Sequence, residues 1–321
     1  MDVVDIDFEQ REAFLADVLE GLSRKQKTLP SRWLYDDEGS ELFEAITAVD
    51  EYYPTRTETK ILNENAAEIG AAFGEGAVLI EYGAGAGVKT EIVLSALKRP
   101  ECYVPVDIAG DFLEISAERL RGRFPNLTIR PVTADFTADF DLPSDLPADN
   151  RGAFFPGSTL GNLGREEAYA LLRRVRGHVG QGGRFVIGID LKKDIETLLA
   201  AYDDKAGVTA AFNLNILTRI NRELGGSFDH ASFEHEARWN PEASAVEMHL
   251  VCVNPTRAAV GDQTFVFEGG ETIHTESSRK YDLDDFAELS NSAGWSLDQT
   301  WTDPQSLFAV VALTAQDGAG A

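Results

Sequence analysis

The run Val78-Leu79-Ile80-Glu81-Tyr82 passes through Gly83-Ala84-Gly85-Ala86-Gly87 into Val88-Lys89-Thr90 and a stretch with helical periodicity. A short apolar segment, a glycine-rich turn and a helix, in that order, read as a buried strand that turns sharply into a helix. The glycines let the backbone approach a ligand, and the first N–H groups of the helix have no intrahelical partner. This arrangement marks a nucleotide-type cofactor site. A dinucleotide fingerprint spaces its glycines as G-x-G-x-x-G, whereas here they fall as G-x-G-x-G behind the acidic Glu81.

From about residue 77 to 190 strand-like and helix-like runs alternate. Val78–Tyr82, Cys102–Asp107, Leu127–Thr133, Ala153–Phe155 and Arg184–Asp190 read as strands, and Thr90–Leu97, Phe112–Arg121 and Glu166–His178 as helices. Such alternation predicts a parallel sheet wrapped by helices on both faces, a doubly wound α/β core. Beyond Asp190 come a helical stretch over 194–224, strand-like runs at 246–253, 264–268 and 271–275, and a helix over 283–292. Ser296–Trp301 and Leu307–Leu313 then suit a closing antiparallel hairpin. The glycine spacing and that hairpin together resemble a class I (Rossmann-like) S-adenosylmethionine (SAM) methyltransferase. The expected division is a core of residues 57–195 and 282–321, with a second, inserted α+β domain of 1–56 and 196–281 that binds substrate.

Two carboxylates fit that cofactor. Asp107 ends the second strand, where it can accept both ribose hydroxyls; Asp135 follows the third, where it can accept from an adenine amino group. An exposed loop aspartate is the alternative for each, and a nicotinamide dinucleotide also places an acid near Asp107. Only the glycine spacing and Asp135 argue against the dinucleotide. After the fourth strand, Gly157-Ser158-Thr159-Leu160-Gly161-Asn162 lacks the Asn/Asp-Pro-Pro-aromatic signature of the base methyltransferases. Asn162 either caps the helix beginning near Arg165 or offers its amide to a substrate carboxylate.

Composition narrows the ligand. Fifty-four acidic residues against 29 basic give a formal charge of −25, which repels phosphate backbones and anionic lipid, so a small molecule is favoured over nucleic acid or membrane. The acidic N-terminus is unlike a signal peptide, and no run reaches the length of a membrane span; the chain reads as cytoplasmic. Cys102 and Cys252 lie in apolar runs and are expected as buried thiols. His178, His230, His235, His249 and His274 show no ligand spacing, so no metal is expected.

Four further segments carry a more specific likeness: Leu34-Tyr35-Asp36 with Gly39-Ser40-Glu41-Leu42-Phe43; Glu51-Tyr52-Tyr53-Pro54-Thr55-Arg56-Thr57-Glu58; Gly157–Leu163; and Ala201-Tyr202-Asp203-Asp204 with Gly207–Asn213. With Thr275-Glu276-Ser277-Ser278-Arg279-Lys280-Tyr281, they make nearly the whole chain resemble the histidine Nα-methyltransferases of ergothioneine biosynthesis. The resemblance implies SAM-dependent trimethylation of the α-amine of L-histidine to the betaine hercynine. It matches the carboxylate grip to Asn162 and Tyr202, the imidazole grip to Glu276 and Ser278, and the amine site to Tyr35 and Tyr52. Phe43 and Met248 would shape the wall. For the cofactor it matches Gly83, Lys89, Asp107, Asp135 and Phe136, with Lys89 meeting the methionyl carboxylate. Gly85, Ser158 and Thr159 are counted with the cofactor residues and Gly157 with those of the substrate. The alanines of the glycine turn replace the hydroxyls that members often carry there.

By residue type alone, Glu276 and Ser278 equally suit a solvated strand face, Lys89 a surface lysine, and the tyrosines plain core packing. The expected mechanism is in-line displacement by a neutral amine, with Tyr35 as the catalytic residue that orients the amine and passes its proton outward, in a monomer. A methyltransferase for another amino acid such as tryptophan, or a protein, and a non-catalytic cofactor-binding module are the rival readings.

Overall fold

The computed structural model describes residues 8–85 and 87–317; the acidic first seven residues, Ala86 of the glycine turn and the Gly-Ala-Gly-Ala end lie outside them. Among the described residues the chain divides into two compact units. Those through Tyr53 group with Lys193–Ser278, and Pro54–Lys192 groups with those from Arg279 onward.

The unit that includes the glycine turn is organised by Val78–Tyr82, a strand buried along its whole length. Cys102–Asp107 lies parallel on one side and Arg151–Phe155 on the other, with Ile80 opposite Val104 and Ala153. Arg184–Asp190 follows in parallel, and Phe308–Ala315 and Trp295–Thr302 finish that edge as antiparallel strands. Alternate residues feed two apolar layers. Val78, Ile80 and Tyr82 join Leu172 and Val175 of the helix Arg165–Val179, whereas Leu79 joins Phe73, Val93 and Leu94 on the opposite face. A strand covered on both faces needs no polar alternation, which is why its sequence, Glu81 aside, reads as an apolar run. This is the doubly wound α/β sheet, eight-stranded, with the order reversing at Val78–Tyr82.

The third strand differs from expectation. Leu127–Thr133 is not continuous but forms two two-residue strands, Thr128–Ile129 and Val132–Thr133, both paired with Cys102–Asp107. Pro131, between them, has no N–H for the ladder.

The other unit holds a four-stranded sheet in the order Lys27–Thr28, Thr272–Arg279, Ala245–Cys252, Phe233–Asn240, and a hairpin of Thr256–Val260 with Gln263–Phe267. Phe233–Asn240, Phe-Glu-His-Glu-Ala-Arg-Trp-Asn, is too charged to announce itself as a strand; it lies at the sheet edge and pairs antiparallel with Ala245–Cys252. The helical stretch over 194–224 is two helices, Ile195–Tyr202 and Val208–Leu224. The break is made by Gly207, at φ +75°, and by Asp204, whose carboxylate accepts from the N–H groups of Val208 (3.0 Å) and Thr209 (2.7 Å). Cys102 and Cys252 are buried and unbridged.

Candidate active site

In the glycine-turn unit, Gly83 (φ +64°), Gly85 (φ +43°) and Gly87 (φ +72°) adopt left-handed backbone that side chains disfavour. A Cβ on Gly83 would stand 3.6 Å from the Phe136 ring and 3.8 Å from Phe155, so the turn and Phe136 form one surface. Asp107 ends its strand beside the turn: one carboxylate oxygen accepts from Ala109 N–H (3.0 Å) and the other lies 3.5 Å from Gly85 N. Asp135 is held by Thr137, through its N–H (2.8 Å) and its hydroxyl (2.6 Å). Both carboxylates are half-buried rather than fully solvated. A glycine turn open to backbone contact, an aromatic ring and two anchored carboxylates at strand ends suit an adenosine.

The neighbouring residues have partners within the protein. Lys89 is not a solvated lysine; its ammonium is ion-paired with the buried Glu58. Glu58 also accepts the N–H of Gly157, at 3.0 and 2.9 Å to its two oxygens. Ser158 (φ +56°) accepts from the N–H of Asp190 at 2.8 Å, and Thr159 donates to the carbonyl of Pro156 at 3.0 Å. The hydroxyls of Ser158 and Thr159 and the N–H of Gly157 are therefore engaged in holding the loop itself. Asn162 ends a 3₁₀ turn, Thr159–Asn162, and does not cap the next helix, where Gly164 is the cap. Glu81 is buried beneath the glycine turn, bonded by Tyr103 (2.8 Å) and by Thr90 (2.9 and 2.8 Å). Burial pushes its carboxyl up to about 8, against the pull of those hydroxyls and of Lys89.

In the other unit a chain of rings runs from Tyr35 to Phe43 (5.6 Å), Phe43 to Tyr52 (6.3 Å) and Tyr52 to Tyr202 (6.1 Å). Phe212, unassigned by the sequence reading although it lies in the Gly207–Asn213 segment, joins Tyr35 at 5.3 Å and Phe43 at 6.1 Å. The strand Thr272–Arg279 presents Glu276 and Ser278 on one face. Neither is solvated, being 7% and 4% exposed. Tyr35 donates to Glu276 (3.4 Å), and the hydroxyls of Tyr202 and Ser278 lie 2.7 Å apart. The expected carboxylate and imidazole grips thus share a hydrogen bond. Met248 is buried on the adjacent strand, its carbonyl accepting from Thr275 at 3.0 Å.

Behind this face Asn213 fastens three elements. It accepts from Thr275 (2.6 Å) and donates toward His235 Nδ1 (2.8 Å) and the His249 carbonyl (3.2 Å), while His235 Nε2 meets the carbonyl of Tyr202 at 2.8 Å. Its place in the Gly207–Asn213 segment was the only signal for it. Tyr35 is 38% exposed, with the rings of Phe43 and Phe212 packed edge-on against it. Desolvation first, then the Glu276 carboxylate and the phenols of Tyr52 and Tyr202, holds its hydroxyl well above the usual tyrosine range. Among the described residues no group of three or more His, Cys, Asp or Glu side chains is placed to hold a metal ion.

Residues 14–315 match the model of a family described as histidine-specific, SAM-dependent methyltransferases. The chain belongs to that family. The histidine-specific methyltransferases include close relatives of it: the histidine N-alpha-methyltransferase of Mycolicibacterium smegmatis is 37% identical over 302 residues, 92% of this chain and 93% of that protein. The enzyme of the same name from Mycobacterium tuberculosis is 37% identical over 301 residues, again 92% and 93%. The fold extends further than the family. A crystal structure of a SAM-dependent methyltransferase from Clostridium acetobutylicum matches with a TM-score of 0.51 at 13% identity, over 86% of this chain and 99% of that one.

Proposed function

We propose that this chain transfers methyl groups from SAM to the α-amine of L-histidine, three in succession, to give hercynine, the entry to ergothioneine biosynthesis. The observation that carries the reading is family membership over residues 14–315. The geometry supports a division of labour. Gly83, Gly85, Asp107, Asp135 and Phe136 take the adenosine of SAM, Lys89 its carboxylate, and the loop of Ser158 and Thr159 closes that side through its backbone. Asn162, Tyr202 and Gly157 are assigned to the histidine carboxylate. Glu276 accepts the imidazole N–H, Ser278 serves the other ring nitrogen, and Phe43, Tyr52 and Met248 wall the pocket. The core of 57–195 and 282–321 then serves the cofactor, and 1–56 with 196–281 the substrate. The compact units, which divide after Tyr53, Lys192 and Ser278, support that assignment.

A sulfonium methyl is already activated, so the residues need only align amine, carbon and sulfur; alignment alone is worth up to about 7–11 kcal/mol. No metal takes part. Tyr35 donates to Glu276, which leaves its oxygen lone pairs turned to an amine N–H. As its phenol stays protonated, Tyr35 positions the neutral amine and the proton leaves to water. The product is a quaternary ammonium with no lone pair, which ends the series. The chain acts as a cytoplasmic monomer on this small molecule; its charge of −25 supports that over a nucleic-acid or membrane partner, as does the lack of any described helix long and apolar enough to cross a membrane.

Mass spectrometry after incubation with SAM and the twenty amino acids tests the proposal. Histidine should gain methyl groups alone and the trimethylated product should accumulate. Methylation of tryptophan with histidine untouched would overturn the substrate assignment.

A further inference from the structure

The segment Glu51–Glu58 contributes Tyr52 to the proposed pocket, but the reaction as described uses nothing at its other end. Glu58 sits on the helix Tyr53–Glu64 and is 0% exposed. Space is kept for it by Gly188, where a Cβ would fall 2.1 Å from Glu58 Oε1. Its carboxylate gathers two pieces of the cofactor edge: the ammonium of Lys89, from the first turn after the glycine loop, and the N–H of Gly157, from the loop after the neighbouring strand. A buried ion pair is weak evidence for stability, because desolvating both charges offsets their attraction. Its place suggests another purpose.

A lysine offered to the methionyl carboxylate brings a positive charge toward a ligand that is itself a cation. SAM carries a carboxylate, an ammonium and a sulfonium, for a net charge of +1; S-adenosylhomocysteine, the demethylated product, has no sulfonium and is net neutral. Resting on SAM as the methyl donor, we propose that Glu58 is the positioning residue and counter-ion of the cofactor site. It aims Lys89 and the Gly157 loop while cancelling the lysine charge that the sulfonium would otherwise meet. Glu81 is the poorer source of that charge at pH 7, because burial pushes its carboxyl up to about 8.

The test is calorimetric affinity for SAM and for S-adenosylhomocysteine at pH 7. Glu58→Gln keeps the shape and an acceptor for Gly157 but removes the charge, so it should weaken SAM by about tenfold more than S-adenosylhomocysteine, the size of one uncompensated charge at intermediate dielectric. Glu58→Asp, which keeps the charge, should hold the ratio near that of the wild type. Should Glu58→Gln fail to fold, Lys89→Met carries the test with the sign reversed, SAM gaining on S-adenosylhomocysteine. A ratio that stays put in Glu58→Gln, or in Lys89→Met where that variant carries the test, both ligands weakening equally or not at all, makes Glu58 a structural acid and overturns the proposal. Wild-type protein that binds neither compound overturns the cofactor reading itself, a result distinct from equal losses.

Discussion

The two units build their candidate surfaces from different material. Around the glycine turn the surface is made largely of backbone and strand ends: Gly83 and Asp107 stand where adjacent parallel strands stop, the edge at which such sheets take ligands. The unit with the Thr272–Arg279 strand has no comparable rule. Tyr35, Phe43, Tyr202, Phe212 and Glu276 come from separate elements and meet only through tertiary packing. A backbone surface tolerates exchange of its loop side chains. One made of side chains depends on each of them, so damage in the two units should separate cleanly.

The largest expected separation is at Asp107. Hydrogen bonds to a charged acceptor contribute about 1.5–3 kcal/mol each, and two from the ribose make Asp107→Ala a loss of at least about a hundredfold in S-adenosylhomocysteine affinity. Calorimetry on the folded variant reads it, and unchanged affinity would place the ribose elsewhere.

Glu81 probes the same unit through stability. Its folded-state carboxyl titrates near 8 rather than at the ordinary 4.5, burial being the main cause. Between those values the native protein holds a proton that the unfolded chain has released, so stability falls as pH rises from about 4.5 to 8 and the loss is constant above. At about 1.4 kcal/mol per pKa unit, a few kcal/mol are at stake. Glu81→Gln should therefore gain on the wild type steadily across that window in urea melts. A flat difference would mean that Glu81 is ionised in the native state.

In the unit of the Thr272–Arg279 strand, Glu276→Ala should cost histidine about tenfold to a hundredfold in affinity, one charge-assisted hydrogen bond, and leave S-adenosylhomocysteine binding alone. Phenylalanine and tryptophan should become relatively better tolerated, since the carboxylate that apolar rings must desolvate is gone. Equal binding of histidine to both proteins would remove Glu276 from the ring contact.

The same contrast governs what could be read from the chain. The doubly wound sheet was legible because strands buried on both faces and helices of period 3.6 leave strong patterns, and Asp107 followed from strand position. Pro131 marks the break between Thr128–Ile129 and Val132–Thr133, but the apolar run around it hides that signal. The unit of the Thr272–Arg279 strand was legible only through motif likeness. Phe233–Asn240 carries a charge pattern typical of loops, and Asn213 or Glu58 owe their roles to partners far away in sequence, Thr275 and Gly157, which no local period encodes.

Tyr35 gives the smallest effect and the finest test of the second unit. Its phenol is held well above the usual range, so it stays neutral wherever the amine, with a pKa near 8 or above, loses its proton. Tyr35→Phe should then lower kcat for histidine about tenfold, the worth of one hydrogen bond in the barrier, while the acidic limb of the pH profile, which belongs to the amine, stays where it is. Movement of that limb would make Tyr35 a base. A second readout separates positioning from mere wall packing. Neutral histidine and its monomethyl form still carry an N–H that the Tyr35 oxygen can accept, but neutral Nα,Nα-dimethylhistidine carries none, and its lone pair must point at the incoming methyl. The hydroxyl therefore has something to hold in the first two transfers and nothing in the third. Supplied as the starting substrate, the dimethyl compound should be trimethylated by Tyr35→Phe at close to the wild-type rate. An equal loss on both substrates would reduce the hydroxyl to packing, and the ring alone would be what the pocket needs.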